Sequence, residues 1–185
     1  MKVIFGFLLA CFVIAGAGYW VIWSGAYDIR ATTPHTAAVA WTFETAMRQG
    51  VRHGAASVAP GPESNDELLR SGAREYAETC VTCHGAPGKD SEKWAMSMES
   101  TPPDLGEAAK EWSRREIFWI AQNGIKMSGM PAFGPSHSEA KLWALATFVK
   151  AMPGMNAERF EQLVGQPLPA GETGQPPAAA QGRGG

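Results

Sequence analysis

The chain has 185 residues, with 16 Lys and Arg against 18 Asp and Glu and a formal net charge of −2. That length holds one domain of ordinary size plus appendages. The slightly acidic balance, with no basic run, argues against a general nucleic-acid binder. Charge is also uneven: residues 1–62 carry four Lys/Arg against two Asp/Glu and residues 63–163 carry eleven against fifteen, which sets the N-terminal third apart.

The chain opens on "VIFGFLLACFVIAGAGYWVIW", Val3 to Trp23, 21 residues without a charge. At ~1.5 Å per residue this run reaches ~31 Å, about one hydrocarbon core. Lys2 precedes it, and Tyr19, Trp20 and Trp23 mark its far end as an interfacial aromatic belt does. A cleaved signal peptide ending at Ala15–Ala17 is one competing reading, but the apolar run continues past that point. A lipidated Cys11 in "LLAC" is another, but the residues after it are as apolar as those before. We read residues 1–24 as an uncleaved transmembrane anchor, and all three readings export the rest of the chain.

Residues 25–63 follow as a juxtamembrane helix and linker. "PHTAAVAWTFETAMRQGVRHG" reads as a helix with Thr33 as N-cap and Pro34 at the first helical position. Val39, Phe43, Met47 and Val51 fall on one face, with Trp41 off it. Arg48, Arg52 and His53 gather in the last turns, where cations suit the helix dipole. "AASVAPGPES" reads as a linker.

Residues 64–165 read as a compact all-α domain. "SNDELLRSGAREYAET" opens on a Ser or Asn cap, and "SRREIFWIAQNG" has a capping box of Ser113 with Glu116 and stops at Gly124. "SEAKLWALATFVKAM" is capped by Ser136 or Ser138, and "NAERFEQLVG" is a short last helix. The Pro/Gly/Ala-rich tail, 166–185, is expected to be disordered.

The chemistry sits in "CVTCHG", residues 80–85. Cysteines three apart serve a reversible disulfide, half of a zinc site, or covalent haem attachment with the next histidine on iron. A redox disulfide needs no following histidine and usually follows a strand, whereas helix precedes this motif. Zinc usually takes four protein ligands, and Cys80, Cys83 and His84 have no second Cys/His cluster to supply the fourth. Structural cysteines beside an exposed histidine are the bland alternative. Haem c attachment is the reading that uses all three residues. Seven Trp suit a domain that wraps a large flat apolar cofactor.

The other face of the iron needs a ligand, and cytochromes that carry electrons often use methionine. "GIKMSGMPAFG" offers Met127 and Met130. Pro131 stiffens the chain after Met130, and Phe133 can cover the ring, so Met130 is the favoured ligand with Met127 its competitor. Met96, Met98, Met152 and Met155 read as core packing or gap-filling.

Residues 64–163 resemble a small bacterial class I cytochrome c, through "GAREYAETCVTCHGAPG", "TPPDLG" and "NGIKMSGMPAFGPSHSEAKLWALATFV". The resemblance implies an all-α fold around one covalent haem, with the first and last helices crossing through Gly72 and Tyr76 against Leu145 and Phe148. It also implies that the Pro103 carbonyl accepts the Nδ1 proton of His84 and that Leu105 packs on the haem. Anchor, juxtamembrane helix and tail lie outside it.

The expected function is therefore a membrane-tethered monohaem cytochrome of the inner membrane with its haem domain in the periplasm. It carries single electrons in a respiratory chain, makes or breaks no substrate bond, and works with a dehydrogenase, oxidase or quinol-oxidising complex, as a free carrier or as a subunit. The alternatives are a haem enzyme or gas sensor with a labile sixth ligand, and a non-redox adaptor. His137 reads as a solvated residue near a helix cap. His35 and His53 lie before the linker and are poor candidates for iron.

Overall fold

The computed structural model describes residues 2–165, so the tail expected to be disordered lies outside the described residues. Among the described residues eight helices follow in chain order: α1 Lys2–Ser24, α2 Ala37–Ala56, α3 Asp66–Thr79, α4 Val81–His84, α5 Leu105–Ala108, α6 Arg114–Asn123, α7 Glu139–Ala151 and α8 Ala157–Gly165, with one 3₁₀ turn at Ala95–Ser97. The described residues contain no strand, as an all-α domain requires.

The helix boundaries have local causes. Asn65 caps α3 by accepting from Leu68 N at 2.8 Å. Ser113 and Glu116 form a reciprocal capping box at the start of α6. Ser138, rather than Ser136, caps α7. α6 stops at Gly124 with φ 65°, a left-handed backbone that glycine adopts without a Cβ clash.

The core is the crossing of α3 and α7, with α6 and α8 packed around it. Gly72 makes the close approach possible: a Cβ there would run into the Ala144 carbonyl and meet Phe148 Cβ at 2.8 Å. Tyr76 and Phe148 are fully buried beside it, their rings 5.2 Å apart, and Leu145 is buried next to them. The Tyr76 hydroxyl donates to Gly85 O at 2.7 Å, which ties the crossing to the turn that follows α4. α7 is buried from Leu142 to Val149 because α3 and α6 cover it on different sides. By contrast, α1 is long and apolar enough to cross a membrane and buries nothing.

α2 departs from the sequence expectation in two respects. It begins at Ala37, with Thr36 in the N-cap position and no side-chain cap bond, not at Thr33–Pro34. The stretch before it folds on itself instead: Thr33 N donates to Arg30 O at 3.1 Å, and the Tyr27 hydroxyl lies 3.0 Å from His35 Nδ1. Secondly, its apolar face is divided. Val51 and Ala55 are buried against the domain, whereas Phe43 stays 50% exposed and Trp41 68% exposed. Arg48 is not free positive charge, because it pairs with Glu44 at 3.0 Å and Glu111 at 2.6 Å and lies over Trp112.

The segment read as a linker, 54–63, is likewise packed. Gly54 lies against the Trp119 ring and Gly61 against the Trp143 ring, closer than any Cβ would allow. Arg114 donates to Pro62 O at 2.6 Å and to Ser64 Oγ at 2.7 Å. Small residues let the chain lie flat on tryptophan faces, so a composition that reads as flexible is here a covering strap.

Candidate haem-binding site

α3 runs straight into the motif. Cys80 closes it, and Cys83 N and His84 N both donate to Cys80 O, at 3.1 and 2.9 Å, which winds "VTCH" into the single turn of α4. Gly85 ends that turn with φ 68°, and a Cβ there would meet Lys89 O at 2.7 Å. Cys80 and Cys83 are unpaired thiols, so no disulfide competes for them. Burial, with Glu75 and Cys83 adding to it, pushes the Cys80 thiol up to about 12, and the sulfur keeps its proton near neutrality.

His84 Nδ1 lies 2.8 Å from Pro103 O. A carbonyl can only accept, so Nδ1 carries the proton and Nε2 keeps its lone pair. Burial lowers the imidazole's proton affinity, against the opposing pull of the Pro103 bond. A neutral ring with a fixed tautomer is the form that binds a metal. Leu105 packs half-buried against the core two residues after Pro103.

Met130 lies on the loop between α6 and α7, half-buried. Ile125 N donates to its carbonyl at 3.2 Å, and its own N donates to Ser128 Oγ at 3.1 Å. The loop folds back onto Gly124, where a Cβ would meet Pro131 C at 2.7 Å and Met130 O at 2.8 Å. Phe133 N and Gly134 N then donate to Ala121 O and Gln122 O of α6, both at 3.0 Å. Met127 is different: it has φ 61° and is 82% exposed. The loop bearing Met98, which joins His84 to Pro103, meets the Met130 loop where the Met98 side chain lies on Gly129.

Two bland sequence readings change here. Met96 is 56% exposed rather than core, because its 3₁₀ turn buries Ala95 instead. His137 is not solvated; its side chain is only 15% exposed and Nε2 lies 2.8 Å from Glu75 Oε1. The reason is Glu75, which shares the buried face of α3 with Gly72, Ala73 and Tyr76 and needs a cation there. A carboxylate on that face was the available signal. Met152 is buried and Met155 packs against the core, as expected.

The residues fit a haem by the chemistry of the donor set: two unpaired thiols one helical turn apart, an adjacent imidazole with its Nδ1 proton already placed, and a half-buried thioether on a pinned loop. Among the described residues no group of three or more His, Cys, Asp and Glu stands ready for a bare metal ion.

Residues 67–149, a little under half of the chain, match the family model described as cytochrome c oxidase, cbb3-type, subunit III. Comparisons with curated proteins and with solved structures gave no match. The crossed α3–α7 frame, the CxxCH turn mounted on it and the family match together make this part of the chain a c-type cytochrome domain, a haem-based electron-transfer module on a chain that begins with an apolar helix.

Proposed function

We propose that the protein is a membrane-tethered monohaem cytochrome that passes single electrons in a respiratory chain, as a subunit or close companion of an oxidase complex. The observation that carries the site assignment is the single-turn helix α4, which sets Cys80, Cys83 and His84 together while Pro103 fixes the histidine tautomer. The family description supports the oxidase connection.

Haem, when bound, supplies an iron that cycles between ferric and ferrous states. Cys80 and Cys83 would hold it covalently, so that it stays with the exported chain. His84 would offer Nε2 to the iron, with the Pro103 bond stopping the ring from turning. Met130 would offer its thioether as a further iron ligand. Leu105 and Phe133 would shield the group from water. α1 spans the inner membrane and holds residues 64–165 at its periplasmic surface. The tether replaces free diffusion by a high effective concentration beside the partner.

Attachment is tested by acid-acetone extraction. The haem should stay with the protein, and the denatured polypeptide should stain for haem peroxidase activity; free extraction overturns the covalent assignment. Topology is tested on spheroplasts. Added protease should release the haem domain by cutting within 25–36, since the 54–63 strap is packed on tryptophan rings. Complete protection of the domain argues against a periplasmic placement.

A further inference from the structure

α2 overhangs the domain. Its C-terminal end buries Val51 and Ala55, and Arg48 pairs with Glu111 beside that contact. From Ala37 to Phe43 the helix buries no residue, and Trp41 and Phe43 are exposed. Two residues apart on a helix of 3.6 per turn, they stand about 200° from each other. Aromatic surface therefore lies on both sides of the overhang rather than along one stripe. Haem attachment and iron ligation make no use of it.

The overhang is tied to the end of α1. Tyr27 follows Ser24, the last residue of α1, by three positions, a reach of at most ~11 Å. The Tyr27 hydroxyl lies 3.0 Å from His35 Nδ1, and the His35 and Phe43 ring centroids are 5.8 Å apart. Two side-chain contacts thus hold Phe43 to the chain where it leaves α1, whose last turns carry Tyr19, Trp20 and Trp23. Ile29, between them in sequence, is 91% exposed. The overhang is also free of charge: residues 31–43, "ATTPHTAAVAWTF", hold no Asp, Glu, Lys or Arg. The flanking charges are paired, Asp28 with Arg30 at 2.7 Å and Glu44 with Arg48 at 3.0 Å, which lowers the cost of leaving water.

We propose that the N-terminal end of α2 is a membrane foot: Trp41 and Phe43, with Tyr27 and Ile29, enter the headgroup–acyl boundary of the lipid bilayer beside α1. This rests on the reading of α1 as the membrane anchor. Since the other end of α2 is fixed to the domain, the foot sets how the haem domain stands on the bilayer. Three observations favour lipid over a protein groove. A groove takes a helix by one stripe at three- and four-residue spacing, whereas this end is aromatic on both sides. From Ala37 to Phe43 the overhang measures ~9 Å, which matches the ~5–10 Å depth to which interfacial helices sink. It also continues the Tyr and Trp belt at the end of α1, at the level where such rings settle. The turn closed by Thr33 N on Arg30 O is polar and stays at headgroup level, within reach of protease. With no unpaired charge in the foot, entry needs no anionic lipid.

The test uses full-length holoprotein in phosphatidylcholine nanodiscs, one copy per disc, with nitroxide labels. Collision with oxygen, which partitions into lipid, is compared with collision with a water-soluble nickel chelate. Thr42→Cys, in a Cys11→Ser background, puts a label between Trp41 and Phe43; it should be rich in oxygen and poor in nickel contact. Gln49→Cys, exposed and beyond the overhang, should show the reverse. Adding Trp41→Ser and Phe43→Ser should raise nickel contact at 42 severalfold and leave the haem spectrum unchanged. A label at 42 as open to nickel as the one at 49 overturns the proposal, and shielding that then appears only in native membranes assigns the surface to a protein partner. Immersion that requires anionic lipid, or that survives the double serine change, overturns it too. The anchor is checked separately: with Cys80 and Cys83 taken up by haem, Cys11 of the wild type takes the label and should report the bilayer core. A Cys11 label in water removes the anchor reading and the foot with it.

Discussion

The two segments that carry the proposed iron ligands, His84 and Met130, are held in opposite ways. The histidine side, 80–85, is a continuation of α3: its hydrogen bonds run back to Cys80, and the Tyr76 hydroxyl caps the turn at Gly85. Two bonds join it to the loop that follows: Glu92 N donates to Thr82 O at 3.0 Å, and His84 Nδ1 reaches the Pro103 carbonyl. The methionine side, 124–138, has no helix of its own. It is pinned by α6 through Ala121 and Gln122, by α3 through Glu75 and His137, and by the Met98 side chain on Gly129. A ligand borne on a helix inherits its position from the helix, whereas a ligand on a loop needs separate tertiary attachments. The first should therefore fail only with the frame, and the second should fail locally.

The largest effect expected from breaking this comparison is on the histidine side. Replacing both Cys80 and Cys83 by Ser should abolish haem staining of the denatured protein, and either single change should weaken it. Gly72→Val removes the frame common to both sides, because the new side chain collides with the Ala144 carbonyl and Phe148. Overpacking of this kind costs roughly 3 kcal/mol, and chemical denaturation of the holoprotein should show helix content and the far-red absorption band of methionine-ligated ferric haem falling together at lower denaturant.

Met130→Ala tests the methionine side alone. It should turn low-spin ferric iron into a high-spin or mixed state and lower the potential, while covalent haem and helix content stay. Gly124→Ala sharpens the point without touching a ligand. Its φ of 65° and the 2.8 Å approach to Met130 O leave no room for a Cβ. The strain is about 1–2 kcal/mol, and the far-red band should weaken before global unfolding. The smallest effect belongs to Met127→Ala, whose 82% exposed side chain should leave the spectrum nearly unchanged. If Met127→Ala rather than Met130→Ala gives high-spin iron, the two methionines must exchange roles.

The sequence by itself determined the local structures and the attachment motif. The Ser113–Glu116 capping box, the stop at Gly124 and the α-helical period around Gly72 and Tyr76 are written in neighbours three or four residues apart, where helical geometry imposes contact. The CxxCH motif was legible for the same reason, since one helical turn suffices to bring its three side chains together. Tertiary structure decided what depends on distant partners. It divided the α2 stripe, burying Val51 and leaving Phe43 50% exposed, because the C-terminal end of α2 is the part buried on the domain. It turned the "AASVAPGPES" stretch into a strap on Trp143, and it brought His137 from the cap region of α7 onto Glu75, 62 positions earlier in the chain. Period and composition report how a residue relates to its own helix, but a buried carboxylate finds its cation only when two helices have crossed.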